Sequence, residues 1–268
     1  MIPEALHWAL TPAPGWARRT GYLSELIAFR ARHRRWRQRW APHLQASQDA
    51  IRIAMARCTS HRQALVLGSG PLLDIPLADL SAAFETVTLV DAAHLWPTRL
   101  TARRFPNIRL VERDISGVVP GLLEGVAHGS DILPRPRPKL PEDHATVDFV
   151  VSANLLSQLA VLPLQFMSHH VSLTPAEQTG VIHSMVQAHL DYLKQFDAIC
   201  CLITDTRHEF VDRDGAVQNF DNCLPGIILP PDDSSWWWDV APPGEYLPEF
   251  GVRARVVAIT QRPAGSGL

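Results

Sequence analysis

The chain predicts an α/β fold: a mainly parallel seven-stranded sheet covered by helices on both faces, closed by an antiparallel C-terminal hairpin and preceded by an N-terminal helical cap. Three observations predict it. Short apolar runs bounded by turn residues alternate with helical-period segments between residues 63 and 204. The first run, Leu65-Val66-Leu67, opens into the tight turn Gly68-Ser69-Gly70, as a buried strand feeding a helix does. The last two strand-like segments, 236–240 and 252–261, are joined by a loop too short for a crossover helix, so they run antiparallel.

Taken in order, residues 1–20 are irregular and rich in Pro and Trp. From Gly21 to Cys58 apolar residues recur at helical spacing, through Leu23, Ile27, Trp36, Trp40 and Ile51. Pro42 is expected to split this stretch into two helices, because its ring is tolerated only in a first turn. Strands follow at 63–68, 86–91, 107–112, 147–152 and 197–204, with helices near 72–83, 95–104, 154–161 and 175–195. Their continuous apolar runs read as strands buried on both faces. Five prolines between Pro120 and Pro141 mark 118–146 as mostly loop, a candidate lid. Asp212-Arg213-Asp214-Gly215 reads as a turn, and 225–231 as irregular. The boundaries drawn are a cap over 1–60 and one α/β domain over 61–268.

Composition bounds the function. A hydrophobic fraction of 46% supports a real core, and a net charge of −2 argues against a dedicated nucleic-acid binder. No apolar run reaches membrane-spanning length and no basic-then-apolar leader opens the chain. Cys58, Cys200, Cys201 and Cys223 form no Cys-x-x-Cys pair, which reads as reduced cysteines in a cytoplasmic protein.

Strand, Gly-x-Gly turn, helix, strand and then a carboxylate at Asp91 is an arrangement that holds an adenosine-containing cofactor: glycines let the backbone approach, and the carboxylate accepts from ribose hydroxyls. The motif order resembles the class I S-adenosylmethionine-dependent methyltransferases, which have a Rossmann-like sheet ending in a reversed hairpin. Gly68-Ser69-Gly70 resembles their first motif, around the methionine part of the cofactor. Asp91 matches the ribose-binding acid, and Asp114, with Ile115 after it, the position beside adenine. Val147 to Leu159 resembles the fourth-strand motif. The likeness covers 62–205 well and the hairpin more loosely. It implies S-adenosylmethionine as cofactor, S-adenosylhomocysteine as product, and a binding set of Gly68, Ser69, Gly70, Asp74, Asp91, Asp114, Ile115, Ser152 and Asn154. The chain departs from the pattern at Val66, where an acid is common, and at Leu72, the usual third glycine; Asp74 is the substitute carboxylate. Taken singly, Asp114 also suits a helix N-cap and Asp148 a strand edge.

Methyl transfer asks little of the protein beyond positioning and, for a protonated acceptor, a base. Candidates follow strands four and five: Asn154, Gln158, His169 and His170, then Asp205, Arg207, His208 and Glu209. Asp205 and His208 are the chosen catalytic pair, His208 as base because imidazole titrates nearest neutrality. The competing reading is a solvated loop with an Arg–Glu pair. No metal site is expected, since Asp205, His208 and Glu209 lie too close in sequence to form a cage; His183 and His189 read as surface or packing residues. The basic run Arg30 to Arg39 is read as an amphipathic helix with an arginine face, in preference to an anion- or RNA-binding cap, and at least one of the rings of Trp236-Trp237-Trp238 should face outward or into a pocket. The lack of an Asn/Asp-Pro-Pro-Tyr/Phe motif argues against amino-group methylation of adenine or glutamine, and the lack of a Pro-Cys nucleophile against cytosine C5 chemistry. A small-molecule or peptide acceptor, enclosed by the N-terminal helices and the proline-rich loop, is preferred to RNA. Two other functions stay open. One is a methyltransferase-like protein that binds a nucleoside or partner without transfer; the other is an NAD(P)-dependent oxidoreductase, disfavoured by the incomplete Gly-x-Gly-x-x-Gly and the lack of a Tyr-x-x-x-Lys pair.

Overall fold

The computed structural model describes residues 2–128, 134–138 and 144–261. Its elements are α1 (Ile2–Leu10), α2 (Gly15–Arg19), α3 (Tyr22–Met55), β1 (Gln63–Leu67), α4 (Leu77–Ala83), β2 (Thr86–Asp91), α5 (Trp96–Ala102), β3 (Ile108–Glu112), α6 (Val119–Ala127), β4 (Val147–Ala153), α7 (Val161–Ser168), α8 (Pro175–Leu193), β5 (Ile199–Val211), β6 (Val217–Asn222), β7 (Ser234–Ala241) and β8 (Gly251–Gln261), with a 3-10 turn at Leu156–Gln158. The sheet runs β3-β2-β1-β4-β5-β8-β7. Strands β1 to β5 pair in parallel. Strand β8 lies antiparallel between β5 and β7. This is the Rossmann-like α/β fold with a reversed C-terminal pair, the α/β class expected.

An eighth strand was not expected. β5 outruns β4, turns at Asp212–Gly215, and pairs back with β6. Every residue of β6 is exposed, so it carries no apolar alternation that a reader of sequence could detect.

Strand periodicity sorts the core into two layers. From β1, Leu65 and Leu67 feed one cluster, with Met185 and Val186 of α8. Ala64 and Val66 feed the other, with Ile51 of α3 and Leu80 of α4. Cys200 and Cys201 part in the same way, both as free thiols, and burial pushes each up to about 12. Each fully buried Leu contributes about 1.5–3 kcal/mol of transfer free energy.

Several helices differ from expectation, each for a local reason. α3 is not divided at Pro42; it continues through it and kinks at Trp36 (φ −111°, ψ 24°), on the side where the proline ring crowds the Gln38 carbonyl. α4 starts at Leu77 and not near 72, because Leu72 is left-handed (φ 64°) and Pro76 restricts the residue before it. The stretch after β4 forms the 3-10 turn and then α7, displaced by Asn154 at φ 48°. The segment read as mostly loop contains α6, with Pro120 in its first turn, where a missing N–H costs nothing. Residues 134–138 pack tightly on that helix: a Cβ on Gly117 would meet the Arg137 carbonyl carbon at 2.3 Å, and one on Gly121 the Pro134 ring at 2.7 Å. The remainder of the proposed lid, 129–133 and 139–143, lies outside the described residues.

α3 crosses β7 and β5. There Trp40 is fully buried and donates from Nε1 to the Val240 carbonyl at 3.0 Å, while His43 stacks on Trp238. Trp237 faces out under Arg253, as alternation requires. Along the basic run Arg32, Arg34 and Arg35 pair with Glu25, Glu4 and Glu245, so part of that face is neutralised within the fold. Among the described residues no helix is long and apolar enough to cross a membrane.

Candidate active site

In open α/β sheets ligands bind beyond the carboxyl ends of the strands where the strand order reverses. Here that point lies between β1 and β4. The turn after β1 is anchored by Gly68 and Ser69 N–H groups donating to the Val90 carbonyl at 3.0 and 3.2 Å. Gly68 (φ 76°) lies so close to the β4 end that a Cβ would stand 3.1 Å from both the Ala153 oxygen and Leu155 Cβ. Gly70 (φ 50°) faces open space. Leu72 adopts the left-handed backbone that glycine would take more easily, as does Asn154 across the crevice. Such residues cost about 1–3 kcal/mol each and cluster at ligand sites.

Asp91 accepts from Gly70 N and Ala92 N, both at 2.7 Å, one on each oxygen. Ala93 N–H acts on the same carboxylate, so three backbone donors hold it, and of the roughly four acceptor positions of a carboxylate little more than one stays open. Asp74 accepts from Asn154 Nδ2 at 2.6 Å, which joins the β1 turn to the β4 turn. Burial pushes both carboxyls above their ordinary value, and for Asp74 the neighbouring Asp91 charge adds to it. Neither forms an ion pair among the described residues.

Four expected cofactor residues make their contacts within the fold. Asp114 accepts from Ser116 N at 3.0 Å, Ser116 Oγ at 2.5 Å and Val119 N at 2.8 Å, so it braces the entry to α6 in the capping manner. Ile115 is in the core cluster. Ser152 is buried with its Oγ 3.0 Å from His189 Nε2, on the α8 side of the sheet and away from the crevice. Ser69 is also fully buried, its Oγ 3.2 Å from His94 Nε2; His94 Nδ1 is 3.1 Å from Glu112, which Arg99 also holds. This chain fixes the turn from below, and a buried Ser69 cannot reach a substrate.

Sequence reasoning missed His94 and Tyr22. Tyr22 opens α3 after the left-handed Gly21; burial pushes its hydroxyl up, and the charges of Asp114 and Asp91 act on it in the same direction while Ser116 hydrogen-bonds it. Those neighbours place it close to Asp114, Ser116 and Asp91. No motif marks it, because only folding brings α3 to β2. A cavity of about 350 Å³ opens nearby, lined by Arg19, Glu25, Gln165, Phe166 and His169.

Asp205 and His208 belong to β5 and not to a loop. Three residues apart in a regular strand they would face opposite ways. The register against β8 slips between Asp205 and Arg207, and this bulge at Thr206 turns both to one face. His208 Nε2 donates to Asp205 Oδ2 at 2.5 Å, and Ser157 Oγ donates to the other oxygen. Burial would lower His208, but the Asp205 hydrogen bond and charge outweigh it and hold the imidazole above its ordinary value. Burial likewise opposes the charge on Asp205, yet the His208 contact keeps that carboxyl below the usual range. Glu209 points to Arg207 and Arg253, and Arg207 lies over Phe220, so both stand apart from the pair. His170, like His169, follows α7, and the Gln158 side chain donates to Ser157, its sequence neighbour. Asp148 is bound by Arg62 at 2.6 Å, the strand-edge role expected of it.

No protein-family model and no curated protein matches the chain. Solved structures similar in outline include the S-adenosylhomocysteine complex of DhpI (13% identity over 90% of this chain and 96% of that one, TM-score 0.38). Another is the N-methyltransferase NodS from Bradyrhizobium japonicum WM9 with S-adenosyl-L-homocysteine (11%, 80% and 85%, TM-score 0.35). A third is the 1,6-didemethyltoxoflavin-N1-methyltransferase from Burkholderia thailandensis (12%, 89% and 90%, TM-score 0.34). Likenesses this distant leave the chemistry to be argued from the chain's own residues.

Proposed function

We propose that the chain is an S-adenosylmethionine-dependent methyltransferase acting on a small-molecule or peptide acceptor. The observation that carries the reading is the pair Asp74 and Asp91, two half-buried carboxylates at the β1/β4 crevice without a cationic partner among the described residues. A ligand bearing positive charge and a ribose diol satisfies both; S-adenosylmethionine has a sulfonium, an ammonium and that diol. A dinucleotide fits poorly, because its pyrophosphate would meet Asp74, and α4 begins at Leu77, too far from the turn to offer its N-terminus.

In this reading Asp91 receives a ribose hydroxyl on the acceptor capacity its backbone donors leave, and Asp74, steadied by Asn154, faces the cationic end. Gly70, open on its outer side, lets the backbone approach the ligand, and Gly68 keeps the turn close to the β4 end. When bound, the cofactor supplies an electrophilic methyl group on a positively charged sulfur. Asp205 orients His208 and stabilises its protonated form, so His208 can take a proton from an acceptor held beyond the β5 end. The cavity beside α3 and α7 is within the size range of small-molecule sites.

Calorimetry with S-adenosylmethionine tests the proposal. Binding at sub-millimolar cofactor, weakened roughly tenfold or more by Asp91→Ala, is the expected result. Absence of binding would sink it, and a fluorescence response to NADH in its place would favour the oxidoreductase. Cofactor binding without methyl transfer to any acceptor would mark a binding protein of the same fold.

A further inference from the structure

We infer that Asp205, His208 and Cys223 form a site for a divalent cation of zinc's character. The three donors come from two elements that sequence alone does not join. Asp205 and His208 share a face of β5 because of the Thr206 bulge. Cys223 follows β6, where its N–H donates to the Thr206 carbonyl at 3.0 Å, opposite that same bulge. One ligand atom from each residue, a carboxylate oxygen, an imidazole nitrogen and a thiol sulfur, lies within 4.8 Å of the other two.

The donor set fits the cation. Oxygen, nitrogen and sulfur together are what zinc, a borderline-soft ion, takes from proteins, whereas magnesium and calcium take oxygen. Tetrahedral zinc places such donors roughly 3.3–3.6 Å apart, given metal–ligand distances of about 2.0–2.3 Å. Reaching that from the present spacing asks for small rotations and for opening of the Asp205–His208 hydrogen bond. Ser157 Oγ, already bonded to Asp205, orients the carboxylate from behind, as outer groups do around metal ligands. Arg207 is drawn off by Glu209 and Phe220, while the Asp221 charge reaches both His208 and Cys223. Three protein donors leave a fourth position open, the pattern of zinc sites that bind substrate or water.

The placement relies on the β5 end being the acceptor side. With a cation in place, His208 is a ligand and no longer a free base, so activation of an ionisable acceptor passes from proton transfer to coordination. The simpler explanation of the same contacts is a thiol donating to the Asp205 carboxylate, with no ion involved.

The experiment uses untagged full-length protein stripped with a chelator and titrated with zinc chloride, then with cobalt(II) as a spectroscopic probe. One equivalent of zinc should bind, and cobalt should give a thiolate-to-metal charge-transfer band. Cys223→Ser should remove that band and weaken zinc roughly tenfold or more, as should His208→Ala, with circular dichroism unchanged. A charge-transfer band that survives Cys223→Ser, or stripped protein that takes up no zinc at micromolar concentration, overturns the site. S-adenosylmethionine binding measured on the same samples separates the two proposals: cofactor without zinc ends only the cation site, and zinc without cofactor ends only the methyltransferase reading.

Discussion

At the scale of single residues the crevice depends on backbone that side chains tolerate poorly. Gly68 and Gly70 both have positive φ, but only Gly68 is crowded. Gly68→Ala should therefore combine left-handed strain of about 1–2 kcal/mol with displacement of the Ala153–Leu155 backbone, and lose the more stability. Gly70→Ala should show the strain alone, yet set a methyl group on the open face and weaken S-adenosylmethionine roughly tenfold. Thermal melts and calorimetry on the two variants check this, and the reverse order would mean that the ligand does not sit over Gly70. The glycines and Asp91 were legible because turn and strand-end chemistry is local. The pairing of Asp205 with His208 was legible only as composition: no sequence signal announces the bulge that brings them to one face. Ser152, expected at the cofactor, bonds His189 on the α8 side, because the face a strand residue takes is set by register.

At the scale of elements, sequence was a good guide where burial dictates pattern and a poor one elsewhere. β1 and β4 are buried along their whole length and read as unbroken apolar runs, whereas β6 is wholly exposed and left no trace. One helix start followed side-chain capping chemistry. α8 begins where the sequence placed it, with Thr174 Oγ1 accepting from Glu177 N at 3.3 Å and Glu177 returning a bond from Thr174 N at 2.8 Å. α4 and α6 were misjudged because one proline, Pro76, delays a helix while another, Pro120, begins one. The reciprocal bonds of α8 give a direct forecast. Thr174→Ala should cost about 1 kcal/mol, because it leaves a first-turn N–H without its acceptor, while Thr174→Asp should retain most of the stability. Urea midpoints for the three proteins decide it; equal midpoints for wild type and Thr174→Ala would show that the first turn of α8 adds nothing to global stability.

For the whole molecule, the consequence of stacking α8 on the sheet is a buried, uncharged histidine. His189, read from sequence as a surface or packing residue, is fully buried, with Nε2 near Ser152 and no partner at Nδ1 among the described residues. Burial alone pushes it from its ordinary 6.5 to about 4. Above pH 6.5 the imidazole is neutral whether the chain is folded or not, and it places no charge penalty on folding. As pH falls from 6.5 toward 4 the unfolded chain takes up a proton that the folded chain refuses, so the unfolded state is favoured increasingly across that window. The full span corresponds to a loss on the order of 3 kcal/mol, a large part of the stability of an ordinary domain. His189→Gln keeps a nitrogen or oxygen near Ser152 but cannot take up the proton. Its stability at pH 7.5 should be somewhat below wild type, and its decline between pH 6.5 and 4 should be shallower by that amount. Chemical denaturation at half-unit pH intervals measures both slopes, and parallel curves for the two proteins would show that His189 is protonated as readily in the fold as in the open chain.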